Sequence, residues 1–308
     1  MIFAIEGIIT VCLSLISFFT LTDRPATAKW LTQEEKDLAI ARVKSERVAA
    51  TEVLDKFDTI KMVRGVFSPV TLPTSFIFLL NNITVQGLAF FAPTIVRTIY
   101  PKESVITQQL NTVPPYVVGA FFTVMIPFLS WRFDRRNIFF IFTAPLMMIG
   151  YMMFLGSSSP KVRYGATFVI ASGAFPFGAL CNAQASANVV SDTARSSGKL
   201  FVLLLLHHQP SLLTSLAAIG TVVMLGNIGG LISTWSFLPN DGPNYHIGNG
   251  LNLATSSSIF ILSICLLLWM KMNNKKRDKR DVDAELSGLS QLQIQDLDWK
   301  HPAWRWKP

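Results

Sequence analysis

The chain alternates long apolar runs with shorter polar intervals rich in lysine and arginine. The apolar runs cover residues 2–21, 66–93, 113–131, 138–155, 164–190, 219–238 and 252–270. A helix needs about 20 predominantly apolar residues to cross hydrocarbon, and an open strand there would leave its main-chain groups without partners. The pattern therefore predicts an all-α transmembrane protein with seven spans. Glu6 is the one charged residue inside the runs.

The polar intervals set the orientation. Of 27 lysines and arginines, all but Arg97, Lys102, Lys161 and Arg163 fall in intervals 22–65, 132–137, 191–218 and the stretch after 270. Cytoplasmic loops carry the excess of basic residues, which predicts an outside N-terminus and an inside C-terminus. The chain divides accordingly into a lone span at 1–21, a cytoplasmic loop at 22–65, a six-helix bundle at 66–273 and a cytoplasmic tail at 274–308. In the loop, Thr32 and Glu35 have the spacing of a capping box that opens an amphipathic surface helix. The tail is expected to be disordered or to lie along the surface, with Trp299, Trp304 and Trp306 at the interface. The first span carries Glu6 and no basic residue before its apolar stretch, so it reads as a retained helix rather than a cleaved signal. An odd number of spans that starts inside an apolar run suggests a chain lacking its front.

Composition agrees with the pattern: 50% hydrophobic residues and 15% charged ones exclude an ordinary soluble domain. The net charge of +8 belongs to the loops, where it orients the spans and attracts anionic lipids, so no nucleic-acid partner is expected. Cys12, Cys181 and Cys265 all lie within spans and far apart, which predicts free thiols. The sequence shows no metal-ligand spacing, no nucleophile arrangement and no phosphate loop. It predicts no enzyme, no metal and no cofactor.

Four stretches carry a resemblance: DRPATAKWLTQEEKDLAIARV after the first span, Asp134-Arg135-Arg136 between the third and fourth, GNIGGLISTWSFLPNDGPNYHIGNGLNLATSS, and the closing DLDWKHPAWRWKP. Together they resemble the fungal allantoate permease and nicotinic acid permease branch of the major facilitator superfamily, the anion:cation symporters. The resemblance implies helices six to twelve of that fold, with the N-terminal transporter half absent. It further implies secondary, proton-coupled uptake of a small organic anion, such as a carboxylate vitamin or ureide, across the plasma membrane. Substrate in such a fold binds near the bilayer midplane between two halves that rock against each other, so this half alone is expected to be inactive in transport. A half-transporter with a regulatory role is the alternative. A seven-helix receptor shares the topology, but the long first inner loop and the lack of an Asn-Pro-x-x-Tyr element in the last span argue against it.

One interval does not suit this frame. Between the fifth and sixth spans, residues 199–218 insert the apolar sequence KLFVLLLLHHQPSLLTSLAA, too short to cross, where a tight loop is expected. The pair His207 and His208 lacks further ligands for a metal. Codons for Gly198 to Leu200 accommodate a splice donor, and those for Leu216 to Ala218 an acceptor. Removal of Lys199 to Ala218 keeps the reading frame, so a retained intron is the reading adopted.

Candidate site residues follow from polarity at membrane depth, where side-chain amides face a bundle interior or a cavity. Asn81, Asn82 and Gln86 on the second span, Gln184 and Asn188 on the fifth, and Asn227 on the sixth are the substrate-binding candidates, against interhelical hydrogen bonding as the plain alternative. Asp134, Arg135 and Arg136 are gating candidates by the resemblance. Glu6, the only carboxylate within a span, is the formal proton-coupling candidate, but its place near a helix end favours an interfacial role, which leaves the coupling group to the absent half.

Overall fold

A computed structural model describes residues 2–20, 28, 30–45, 65–189, 218–290, 293–294 and 297–308. The chain forms two compact units, residues 1–54 and 55–308.

The first unit holds α1 (Ile2–Thr20) and α2 (Gln33–Ser45). The hydroxyls of Thr10, Ser14 and Thr20 donate to the carbonyls of Glu6, Thr10 and Ile16 four residues back. An apolar helix can thus carry these polar residues without an outside partner. At the start of α2 the capping box forms as its spacing predicts: the Thr32 N–H donates to Glu35 Oε2 at 2.9 Å, and the Glu35 N–H to Thr32 Oγ1 at 3.4 Å.

The second unit is helical through most of its described residues. Its helices are α3 (Thr71–Ile99), the short α4 (Val105–Leu110), α5 (Val113–Phe133), α6 (Arg136–Gly156), α7 (Pro160–Ala174), α8 (Phe177–Ala187), α9 (Ala218–Thr234) and α10 (His246–Arg277), followed by the short α11 (Val282–Leu286). Five helical stretches among the described residues are long and apolar enough to span a membrane, and shorter apolar helices lie at Ala4–Phe18 and Ile219–Thr234. The architecture is that of a multi-pass, all-helical membrane protein.

Helix ends depart from the apolar boundaries. Helix α3 runs on past residue 93 to include Arg97, and α10 continues past residue 270 through the exposed Lys271, Lys275 and Lys276. Apolar runs mark hydrocarbon, whereas main-chain hydrogen bonding continues into the wet interface, where long basic side chains reach water. The fifth run instead divides at Phe175-Pro176 into α7 and α8, because Pro176 has no N–H to continue the ladder. The proposed intron segment, with His207 and His208, lies outside the described residues as far as residue 217; Ala218 opens α9.

Small residues let the helices approach. Helix α9 lies along α3, with Gly226 against Phe78 and Asn82, and Gly229 against the Leu79 carbonyl. Helix α6 packs on α7 in the same way, Gly150 meeting Ile170 and Gly173 meeting Met147. In a bilayer such close packing supplies the association that water would otherwise drive. At the end of the bundle where α6 finishes and α7 starts, Leu88, Ile95, Ile99, Tyr151, Phe154, Ile170 and Phe237 form a buried apolar cluster.

Candidate functional site

Amides of α3 line one seam of the bundle, against the glycines of α9. Asn81 is buried and its Nδ2 donates to the Ala174 carbonyl at 3.1 Å, joining α3 to the last turn of α7 just before the proline break. Asn82, one residue on, faces α9 at Gly226 and Gly229, while Gln86, half-buried, lies against Gly230. Asn227 occupies the exposed side of α9. Farther along α3, Thr84 Oγ1 donates to Asn252 Oδ1 at 2.8 Å and ties the same helix to α10. The seam therefore offers the amides of Asn82 and Gln86 one turn apart on α3, with Asn81 already engaged between helices.

The other two candidate amides serve a different place. Gln184 and Asn188, both fully buried near the end of α8, hold the C-terminal tail. Asn188 Oδ1 accepts the Lys307 N–H at 2.8 Å and its Nδ2 donates to the Lys307 carbonyl at 2.9 Å; Gln184 Nε2 donates to that carbonyl at 3.0 Å. Asn274 of α10 treats Trp306 alike, Oδ1 accepting its N–H at 2.9 Å and Nδ2 donating to its carbonyl at 2.8 Å. Arg277 Nη1 donates to the carbonyls of His301 and Trp304, and the Arg136 N–H donates to the Pro308 main-chain oxygen at 2.9 Å.

Trp306 anchors this segment. It is 2% exposed, donates its indole N–H to Asn273 Oδ1, and lies near Trp269, Trp299 and Trp304 with the Arg277 guanidinium 5.6 Å from its ring centre. Residues 297–308 are thus seated in a groove at the ends of α6, α8 and α10, in contrast to the disordered or surface-lying tail that polarity predicts. Side-chain amides of α8 and α10, the Arg136 N–H of α6 and the Trp269 indole supply partners that a reading of the tail alone does not contain.

The Asp134–Arg136 turn borders this dock. Asp134 ends α5 in the left-handed region, with φ of 48°, and its Oδ1 accepts from Arg136 Nη1 at 3.1 Å. Arg135 is the residue preceding the first turn of α6. The carboxylate is largely exposed, so the pair is worth little as a salt bridge; its effect is to fix the turn that presents the Arg136 N–H to the tail.

Two further features escape the polarity reading. Arg163, 9% exposed in the first turn of α7, donates from Nε to the Ser157 carbonyl at 2.8 Å and from Nη2 to Asn244 Oδ1 at 2.7 Å. It joins the α6–α7 connection to the α9–α10 connection, at the end of the bundle away from the tail. A cavity of about 390 Å³ lies at that same end, lined in part by Thr94, Arg97, Glu103, Gln108 and Gln109. Sequence reading counts Arg163 only as a basic residue on the sparse side; its spacing after Ser157 gives no signal for the distant Asn244. Glu6 is exposed on α1, and no group of three or more potential metal ligands occurs among the described residues.

The chain is similar to several fungal transporters. The chain is 26% identical over 310 residues to the major facilitator-type transporter hxnP of Emericella nidulans, covering 99% of this chain and 57% of the relative. It is 24% identical over 278 residues to the high-affinity nicotinic acid transporter of Saccharomyces cerevisiae, covering 90% and 47%. The MFS transporter prlL of Fungal sp. (strain NRRL 50135) is 30% identical over 180 residues, covering 56% and 35%. The chain spans about half the length of the curated relatives it matches. No protein-family profile and no solved structure matches it. Its likeness is to membrane transporters, not to enzymes.

Proposed function

We propose that this chain contributes the carboxy-terminal helices of a secondary transporter that takes up a small organic anion, driven by protons, at the plasma membrane. The observation that carries the reading is the α3–α9 seam, where Asn82 and Gln86 bring side-chain amides against the α9 glycines, with Asn227 on the exposed side of α9, in an apolar bundle similar to fungal transporters. Amides bind a carboxylate or ureide by hydrogen bonds without placing a fixed charge in hydrocarbon. Similarity over 90% of this chain to the high-affinity nicotinic acid transporter supports a carboxylate as the first substrate class to test.

In this reading Asn82, Gln86 and Asn227 contact substrate, Asn81 sets the α3–α7 contact beside them, and Gln184 and Asn188 lie at the cytoplasmic end of the route. The Asp134-Arg135-Arg136 turn controls that end. Alternating access needs a second helical bundle opposite the seam, so the bundle works with an amino-terminal transporter half. Glu6 is the weakest of the assignments, and the proton-coupling carboxylate belongs to the opposing half.

The test is uptake of radiolabelled nicotinate and allantoate by yeast cells deficient in both. Cells making this chain together with the first five helices of a similar fungal transporter are compared with cells making either part alone. Saturable uptake only in the combination, abolished by a protonophore and lowered at least tenfold by Gln86→Ala, supports the reading. Saturable uptake by the 308-residue chain alone overturns the two-bundle requirement, and uptake indifferent to both Asn82→Ala and Gln86→Ala overturns the seam as the substrate site.

A further inference from the structure

One face of α10 runs unbroken from its apolar middle to its basic end. Ile261, Cys265, Leu268 and Met272 are all exposed and follow one another at steps of four, three and four residues, the spacing of a single helical stripe. On a helix long and apolar enough to span a membrane, such a stripe meets acyl chains. Three residues beyond Met272 it reaches Lys275, with Lys271 and Lys276 on either side and Lys279 in the turn that follows the helix. All four lysines are exposed, and none is in an ion pair among the described residues.

The docked tail fixes which way these lysines face. Asn273, Asn274 and Arg277 form the opposite side of the same turns and are engaged with the tail. Asn273 Oδ1 accepts the Trp306 indole N–H at 2.9 Å, Asn274 bonds the Trp306 main chain, and Arg277 donates to the carbonyls of His301 and Trp304. With that side occupied, the lysines stand on the side continuous with the lipid-facing stripe. Asp278, the one acidic residue between Lys271 and Arg280, accepts from Arg305 Nε at 2.8 Å and is thereby drawn away from them.

Lysines one turn apart have Cβ atoms about 5–6 Å from each other. Their stems lie along apolar surface while the ammonium groups reach the polar layer. A headgroup with a single negative charge neutralises one of them, so four lysines within this short stretch match a headgroup with several. We propose that Lys271, Lys275, Lys276 and Lys279 hold the headgroup of a polyanionic phospholipid, whose acyl chain lies along Leu268, Cys265 and Ile261. The tail is the buttress that keeps this basic side toward the bilayer. Placing the lipid in the cytoplasmic leaflet rests on the transporter reading above; the lipid contact does not.

The test places the full chain with Cys12→Ser in phosphatidylcholine vesicles and puts a fluorophore on Cys265, the exposed thiol that remains beside the buried Cys181. Cys265 lies ten residues before Lys275, about 15 Å along a helix, so a nitroxide deep in the acyl chain of the bound lipid comes against the fluorophore. Nitroxide-labelled phosphatidylinositol bisphosphate, phosphatidylserine and phosphatidylcholine are compared as quenchers. The bisphosphate lipid is expected to reach half-quenching at one-tenth or less of the mole fraction that either other lipid needs. Lys271→Gln/Lys275→Gln/Lys279→Gln is expected to bring the three lipids within twofold of one another. The equally charge-reduced Lys36→Gln/Lys102→Gln/Lys161→Gln is expected to keep the parent's preference. High salt, which screens exposed charges, should give the same loss in the parent chain if the first variant fails to fold. Equal quenching by the bisphosphate and serine lipids overturns the polyanionic headgroup, and equal quenching by all three overturns the site. Loss of preference in both triple variants alike assigns it to overall charge and overturns the site as well. Relief of quenching by an equal amount of free inositol trisphosphate would make the surface one for soluble phosphate esters and overturns the lipid. No readout uses uptake, so absence of anion transport counts against the transport reading alone.

Discussion

Asn188 grips the main chain of Lys307 from both sides, accepting its N–H at 2.8 Å and donating to its carbonyl at 2.9 Å. The two residues are 119 positions apart, and the contact joins the last turn of one span to the closing residues of the chain. A side-chain-to-main-chain bond contributes about 1 kcal/mol net. Asn188→Ala is expected to weaken tail docking by about 2 kcal/mol, and Asn188→Asp by more, because a carboxylate there loses the donor and sets a buried charge against the Gln184 and Lys307 carbonyls. Hydrogen exchange at the Lys307 amide checks the ranking; equal protection in all three chains would contradict it.

Trp306 supplies the apolar part of the same contact, buried among Trp269, Trp299 and Trp304. Emptying a site of that size costs about 3–5 kcal/mol. Trp306→Ala should therefore release the tail more completely than Asn188→Ala, and Trp306→Phe less. The order of exchange rates for residues 297–308 in the three variants is the measurement, and a Trp306→Ala chain with a protected tail refutes the anchor.

Docking should depend on pH through His301, a tail residue 6% exposed. Its Nδ1 accepts the Ala303 N–H at 3.2 Å, and burial, with the nearby Arg277 charge, holds its pKa below the ordinary 6.5. The docked tail thus binds protons less readily than the released one. By linkage, docking is at full strength above about pH 6.5 and weakens as pH falls from there through the lowered pKa of the docked state. Trypsin digestion of the tail, normalised to a model peptide at each pH, should speed up between pH 7.5 and 5.5. His301→Gln should flatten that dependence; an unchanged slope in this variant would place the sensitivity elsewhere.

The α3–α9 seam should tolerate no added bulk where the backbones touch. A methyl group at Gly229 meets the Leu79 carbonyl, whereas one at Gly250 on α10 meets nothing within 4 Å. Overpacking of this kind costs about 1–3 kcal/mol. Gly229→Ala is expected to lower the melting temperature of the detergent-solubilised chain while Gly250→Ala leaves it level or raises it, since alanine favours helix by about 1 kcal/mol over glycine. Equal melting of the two variants would show that the seam is looser than its geometry.

Arg163 should not be replaceable by lysine. Its guanidinium reaches the Ser157 carbonyl and Asn244 Oδ1 from two different nitrogens, a fork that a single ammonium does not reproduce. Hydrogen bonds to a charged group contribute about 1.5–3 kcal/mol each. Arg163→Lys is expected to lose about one of them and Arg163→Gln at least as much, read as reduced thermal stability. Stability unchanged in Arg163→Lys would mean that the clamp carries no net energy.

Hydrophobic periodicity and length alone decided that this chain crosses a membrane, because hydrocarbon leaves so few solutions for a main chain. The count of runs, the capping box at Thr32 and Glu35 and the polar positions of the amides were all readable from local sequence, since each depends on residues within a turn or two. What the amides touch was not. Asn81 finds the Ala174 carbonyl, and Gln184 and Asn188 find Lys307, only because packing brings distant turns to one place; hydropathy records that a group is polar, not which partner satisfies it. The tail shows the difference most clearly: its own polarity and charge predict a solvated segment, and the tertiary structure seats it, because the acceptors, donors and aromatic surface that hold it belong to three other helices.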